Sequence, residues 1–353
     1  MKANICNTVL MASLAAAGIG AHAEGIGFYA LLDGGIAHTS ISGGSSASAS
    51  QTEFVTGGFA PNFVGITGEK SLDKGLSAGF KLEQGFLLNN MRQNQSTPSN
   101  SRFFFGDDSA FNRQANLYVK NSSGTFTLGT QPNIAFNSVL MADPRSGSNY
   151  GSSLAAVVIS GGLGTIDNGS LSVTTAPIGG LTLAAQYVPQ ENASSSTKNG
   201  SRISAVYSAG NFAATAASYT NTSNTTAPNS SGTVLGATYK FGNFTAKVLN
   251  LSQKNASTES LGTTGVGYAL SAATSIDVGT YKSTKTGYDM STNAVGVYHK
   301  FLKDLTLYGQ YATVKSTAGT TPYNFAPPTI ITGNVSAGQT ANTINVGFLY
   351  SFF

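Results

Sequence analysis

Through most of the chain, apolar residues fall at every second position. That is the period of a strand with two unlike faces. Phe28, Ala30, Leu32, Gly34 and Ile36 share one face of the first such run, and Tyr29, Asp33 and Gly35 share the other. Leu76, Ala78, Phe80 and Leu82 alternate with Ser77, Gly79, Lys81 and Glu83. The pattern returns at Leu181, Leu183, Ala185 and Tyr187, then at Leu235, Ala237, Tyr239 and Phe241, then at Leu305, Leu307 and Tyr311. It ends on Ile344, Val346, Phe348, Tyr350 and Phe352, with only Phe353 after them.

Short turns precede the strand openings: Lys74-Gly75 before Leu76, Gly124-Thr125 before Phe126, Gly210-Asn211 before Phe212, Gly242-Asn243 before Phe244. From Leu181 on, the openings fall at Phe212, Phe244, Ile276 and Leu305, steps of 31, 32, 32 and 29 residues. Each step holds two strands, a short turn and a longer polar loop. Short turns at one end, long loops at the other and strands of about ten residues describe a transmembrane barrel. The pattern predicts sixteen antiparallel strands. The steps from Leu76 to Phe126 and from Phe126 to Leu181 are longer, 50 and 55 residues, so each holds a long loop. The second loop is expected at about Asn89 to Ala110 and the third at about Pro132 to Asn168. A closing strand that would be an aggregation-prone edge in a soluble protein is expected to pair with the first strand, because a closed barrel has no edge.

Composition narrows the class. Charged residues make up only 10% of 353 residues, against about 25% in an ordinary soluble domain, while mean hydropathy is close to zero. Ser, Thr, Asn and 42 Gly fill the difference. No apolar run reaches the roughly 20 residues of a membrane helix. With 20 Phe and 15 Tyr, the chain has the apolar bulk for an ordered structure. A barrel of about sixteen strands leaves an aqueous channel, so half of each strand is free to be polar. Trp is absent, which leaves Tyr and Phe to form the aromatic girdles.

The amino terminus reads as an export signal: Lys2, an apolar stretch from Val9 to Ala21, and the cleavage site Ala21-His22-Ala23. Residues 1–23 are expected to leave and the barrel to begin at Glu24. Cys6 goes with them, which excludes disulfides and thiol chemistry from the exported chain. Losing Lys2 lowers the formal charge from +4 to +3. The basic residues are scattered singly, so nucleic acid is excluded as a partner.

Sites of chemistry are few. Gly65-Ile66-Thr67-Gly68-Glu69-Lys70-Ser71 has glycines like a phosphate-binding loop, but Glu69 breaks the required end. Ser71-Leu72-Asp73-Lys74 fits an acyl-serine pattern and sits in a turn. His38 and His299 are the histidines beyond the signal, and no cluster has metal-ligand spacing. Asp107-Asp108 reads as a solvated loop pair. No enzyme activity, cofactor or metal is expected.

These segments resemble the general porins of Gram-negative outer membranes, in particular the trimeric sixteen-stranded type of β-proteobacteria. Phe28 to Ile36 is similar to the family's first strand, and Gly65 to Glu83 to the conserved stretch that follows it. Asn112-Arg113-Gln114-Ala115, Phe126 to Gln131 and the terminal strand Val346 to Phe352 are similar as well. The resemblance implies a passive diffusion channel for small hydrophilic solutes and ions, with the third loop folded inward as a constriction. It implies a homotrimer in outer-membrane lipid, latched by the second loop. It also implies a terminal signal, Phe352 and Phe353, read by the outer-membrane assembly machinery. The family's ladder of wall cations faces acids on the third loop. The matching candidates are Lys81, Arg113, Asp143 and Arg145; Thr130, Phe63 and Thr67 replace the other cations. The resemblance therefore implies a weakly charged constriction, and the net charge of +3 left after the signal suggests a weak preference for anions. A substrate-specific channel of the same fold and an adhesin with long surface loops are the alternatives.

Overall fold

The computed structural model describes residues 25–45, 48–88, 110–154, 163–190, 197–223, 229–255, 258–319, 321–322 and 334–353. The expected signal segment and most of the second loop, including Asp107 and Asp108, lie outside these residues. The strands are β1 (Gly25–Gly43), β2 (Ala49–Thr56), β3 (Phe63–Ser71), β4 (Ser77–Gly85), β5 (Gln114–Asn121), β6 (Gly124–Pro132), β7 (Ile166–Thr175), β8 (Leu181–Val188), β9 (Thr197–Ala209) and β10 (Phe212–Ser223). They continue with β11 (Ser230–Phe241), β12 (Phe244–Lys254), β13 (Thr258–Ala269), β14 (Thr274–Lys285), β15 (Tyr288–Lys300) and β16 (Leu305–Ala318). A two-residue ladder, β17 (Thr321–Pro322) with β18 (Asn334–Val335), precedes the closing strand β19 (Gln339–Phe352). One helix, α1 (Ile134–Ala142), lies between β6 and β7.

Adjacent wall strands pair antiparallel, β16 pairs with β19, and β19 pairs with β1 from Ala30 opposite Phe352 to Gly43 opposite Gln339. The sheet is thus a closed barrel of sixteen wall positions. The second position is broken in two. β1 pairs with β3 through Leu31 opposite Phe63, and then with β2 from Gly34 opposite Thr56. The residues between, Gly57 to Asn62, leave the wall. One expected long loop is absent: β14 and β15 are joined by Thr286-Gly287, with Lys285 opposite Tyr288 and Gly287 at φ +74°. A two-residue hairpin link needs the positive φ that glycine supplies.

The alternation read from the sequence sorts the faces. Ile344, Val346, Phe348, Tyr350 and Phe352 are 40–54% exposed, as befits side chains that meet lipid rather than water. The register aligns these outer residues into rows around the barrel. One row runs Ala246, Val266, Val278, Val295, Tyr311, Ile344. The next row toward the long loops runs Thr264, Thr280, Asn293, Thr313, Asn342 and Ser40. On β13 to β16, β19 and β1 the outer face turns from apolar to polar within two residues. Hydrogen bonds knit the polar row: Thr280 Oγ1 donates to Asn293 Oδ1 at 3.0 Å, and Thr313 Oγ1 to Asn342 Oδ1 at 2.9 Å.

Inside, the polarity inverts near the same level. Leu249, Leu251, Leu261, Tyr281, Met290 and Val314 point inward and are buried together with Leu154 and Leu163 of the third loop. Beyond the apolar belt, then, the barrel is organised as a soluble protein is, polar without and apolar within.

Candidate functional site

Inside the barrel, the segment between β6 and β7 follows the wall. Asn133 starts it. Its Oδ1 accepts from the backbone N–H of Ala135 at 2.9 Å and of Phe136 at 3.2 Å, an N-cap that satisfies two free donors of α1. The Asn133 N–H donates to Thr165 O at 3.0 Å and pinches the base of the loop. Helix α1 packs across the inner wall of β8 to β12, burying Ala135, Val139 and Ala142. Gly236 makes this possible: a Cβ there would lie 2.2 Å from that of Ala142.

The loop tip is clamped to β12–β16. Asp143 Oδ1 accepts from the N–H groups of Arg145 at 2.8 Å and Gly147 at 3.1 Å, while its Oδ2 accepts from the Ser153 N–H at 2.9 Å and from the Ser153 hydroxyl. Lys247 Nζ donates to Asp143 O and Ser146 Oγ, both at 3.0 Å. Arg145 reaches the wall itself. Its Nε donates to Asp277 Oδ1 at 2.9 Å, and its Nη2 to Gln310 Oε1 at 2.7 Å and to Tyr298 Oη at 3.1 Å. Its Nη1 binds Tyr150 O and Gly151 O. Burial alone would lower the pKa of the Arg145 guanidinium. Tyr298, Asp277 and Tyr281 around it outweigh that effect and raise it above its ordinary value, so the charge persists.

Gly57 to Asn62 forms a second inward fold that meets the loop tip. Asp33 on β1 organises it, with Oδ2 accepting from Phe59 N at 2.7 Å and Ala60 N at 2.6 Å, and Oδ1 from Tyr308 Oη at 2.7 Å. Asn62 Nδ2 returns to Asp33 O at 3.1 Å. Asn149 of the loop then donates its backbone N–H to Phe59 O at 3.1 Å and its Nδ2 to Gly57 O.

These attachments hold the loop against β8–β16 and Gly57–Ala60. What remains is a gap of about 110 Å³ between the loop and the opposite wall. The wall side consists of Leu31, Phe63, Glu83, Arg113 and Gln114. The loop side presents Phe136, Asn137, Leu140, Gly147, Asn149 and Leu154. Arg113 Nε donates to Glu83 Oε1 at 2.6 Å, and its guanidinium lies 4.8 Å from the centre of the Phe63 ring. Glu83 also accepts from Tyr29 Oη at 3.0 Å and Gln114 Nε2 at 3.2 Å. Lys81 sits two residues before Glu83 on the same face of β4 and has no ion pair among the described residues.

The four charged candidates therefore divide. Arg113 lines the wall side of the gap, and Lys81 stands outside that lining, two residues before Glu83 on β4. Asp143 and Arg145 have 0% exposure and turn away from it, because the loop's own N–H groups and the far wall take up their polar atoms. Asp167, expected in the loop, is the second residue of β7 and pairs with Arg202 of β9 at 2.8 Å. Phe352 ends β19 on the outer face, and Phe353 stacks on Tyr29 with ring centroids 6.4 Å apart. His38 and His299 each share a hydrogen bond with a threonine on the exposed outer face, and no metal-ligand cluster occurs among the described residues.

The sequence profile of the family described as Gram-negative porin matches residues 8–319. The chain belongs to this family. Solved structures share its fold. The anion-selective porin of Comamonas acidovorans is 18% identical with a TM-score of 0.77, covering 93% of this chain and 100% of that one. OmpF of Salmonella typhi, in a complex with daunomycin, is 14% identical with a TM-score of 0.64, covering 95% and 99%. A trimer form of OmpT of Vibrio cholerae is 14% identical with a TM-score of 0.62, covering 94% and 100%. No curated protein sequence matches the chain. It is an outer-membrane porin, a channel for passive diffusion.

In this porin the roles missed from the sequence are those of Asp33, Asn62, Tyr298, Tyr308 and Gln310, which hold the inward folds. The one local signal was Gly57-Gly58-Phe59-Ala60-Pro61-Asn62, a break of two glycines and a proline inside an otherwise alternating run.

Proposed function

We propose that the gap beside Arg113 is the constriction of the pore, and that small hydrophilic solutes and ions pass it down their gradients. The supporting observation is the attachment of the third loop to the inner wall from β8 to β16, which leaves one unattached side among the described residues. Arg113 is paired with Glu83, so Lys81 is the unbalanced charge on that wall. A weak preference for anions follows, since charges lining a narrow pore act on the ions that cross it. Asp143 and Arg145 serve as anchors of the loop rather than as charges of the passage. No chemical step is assigned to the protein. The working unit is a homotrimer in outer-membrane lipid, with Asn89 to Ala110 as the latch. The leader 1–23 directs export, and Phe352 with Phe353 forms the signal that the assembly machinery reads.

Planar-bilayer recording under a salt gradient tests this reading. The refolded protein inserts as three equal conductance steps with a reversal potential on the anion side. Lys81→Glu moves that potential to the cation side. A folded, inserted and silent protein would overturn the channel.

A further inference from the structure

Outside the barrel, β12 to β16 carry a feature that the channel does not use. An open hollow of about 610 Å³ lies on the outer face there. Its floor is small and apolar, with Ala246, Val266, Val278 and Val295, and Tyr311 stands at one edge. Small side chains let an acyl chain lie close to the wall and make dispersion contacts along its length. Toward the long loops, Thr264, Thr280, Asn293 and Thr313 bound the hollow. Threonine hydroxyls occupy the Oδ1 atoms of Asn293 and of Asn342 in the same row. Among the described residues no hydrogen bond takes up their Nδ2 groups, so amide donors are free on the outer face.

Cations come next. Lys282, Ser291, Lys315 and Thr340 form the row beyond. Both lysines are exposed, and neither has an ion pair among the described residues. Asp289, two residues before Ser291 on β15, pairs with neither. The lysines are two strands apart, about 10 Å at the usual strand spacing. Their flexible four-carbon stems let both ammonium groups meet over Ser291. Lys282 also lies four residues beyond Val278, about 13 Å along β14. Along that length the wall offers an apolar floor, then hydroxyls and amides, then positive charge. An anionic lipid presents the matching order of acyl chain, ester or sugar oxygens, and phosphate. The long loops mark the outer side of the membrane, so the leaflet is the outer one.

We propose that this face holds a phosphate-bearing lipid of the outer leaflet. Its acyl chain lies in the hollow, its ester or sugar oxygens accept from Asn293 Nδ2 and the threonine hydroxyls, and its phosphate meets Lys282 and Lys315. The site is separate from the pore and does not depend on which gap is the constriction.

The chain has no Trp, so one introduced indole reports locally. Val278→Trp places it in the hollow, and Leu183→Trp on β8 serves as reference, since both positions are 46% exposed on the outer face. Each trimer is folded into phosphatidylcholine vesicles carrying a small fraction of phosphatidic acid with brominated chains. Quenching rises with that fraction about fivefold more steeply at Val278→Trp, the enrichment one lysine brings at a membrane surface. Adding Lys282→Ser and Lys315→Ser lowers the slope to that of Leu183→Trp, while Lys282→Arg with Lys315→Arg keeps it. Brominated phosphatidylcholine quenches both positions alike in every variant, which shows that each barrel is inserted. Equal slopes with phosphatidic acid, or a slope indifferent to the serine pair, overturn the inference. So does a Val278→Trp indole that no brominated lipid reaches, a result that gives the hollow to a second copy of the chain.

Discussion

Arg145 shows how far a residue's place decides its role. It is a cation in a porin loop, yet it has 0% exposure and gives its donors to Asp277, Tyr298 and Gln310 of the far wall. Removing one partner of a buried ion pair costs about 3–5 kcal/mol, because the other charge is left alone. Arg145→Ala is therefore expected to lower the urea midpoint of the folded barrel. It should also raise the open-channel conductance as the loop tip leaves the wall. Arg145→Met combined with Asp277→Leu recovers most of the stability, since no charge is then stranded. Unchanged conductance and stability in Arg145→Ala would refute the anchoring role. Arg113 differs by its neighbourhood alone: it lies on the side of the wall that the loop does not cover, and its side chain keeps 19% exposure.

At the level of elements, the strands change character along their length. On β14 the outer face passes from Ile276 and Val278 to Thr280 and Lys282, and the inner face from Asp277 and Gly279 to Tyr281. The change marks where the lipid belt stops. A basic residue facing lipid at mid-depth costs about 2–4 kcal/mol, falling to about 0–1 near the interface. Leu183→Arg, within the exposed belt on β8, is expected to destabilise the barrel by the larger amount, and Thr280→Arg on the polar row by the smaller. Folding into lipid vesicles across a denaturant series measures both. Equal costs at the two sites would move the boundary. The same period-two pattern made these faces legible in the sequence, because lipid and lumen impose opposite demands on alternate residues. The helix α1 was not legible in that way. It spans only nine residues, Ile134–Ala142, among apolar neighbours, and its site was chosen by Gly236 and the curve of the inner wall.

For the whole molecule, closure is the dominant fact. β19 against β1 satisfies the last free backbone groups, so neither terminal strand is left as an edge. Trimer assembly is the next level. Deleting Asn89 to Ala110 is expected to lower the temperature at which the trimer dissociates in detergent, with the single barrel still folded. A deletion protein as heat-stable as the parent would count against the latch. What the amino-acid order determined unaided was the number of wall positions, the face each residue takes, the antiparallel succession of strands and the resemblance to porins. Each of these rests on neighbours or on residues two apart, where local pattern suffices. Only the tertiary structure decided which charges border the passage and which hold the loop. Arg145 meets Gln310 across 165 positions and Asp277 across 132. Asp33 meets Tyr308 across 275. No period in a chain encodes such pairings; they exist because a closed wall brings distant strands to face one interior, where a buried polar group must find whatever partner stands opposite.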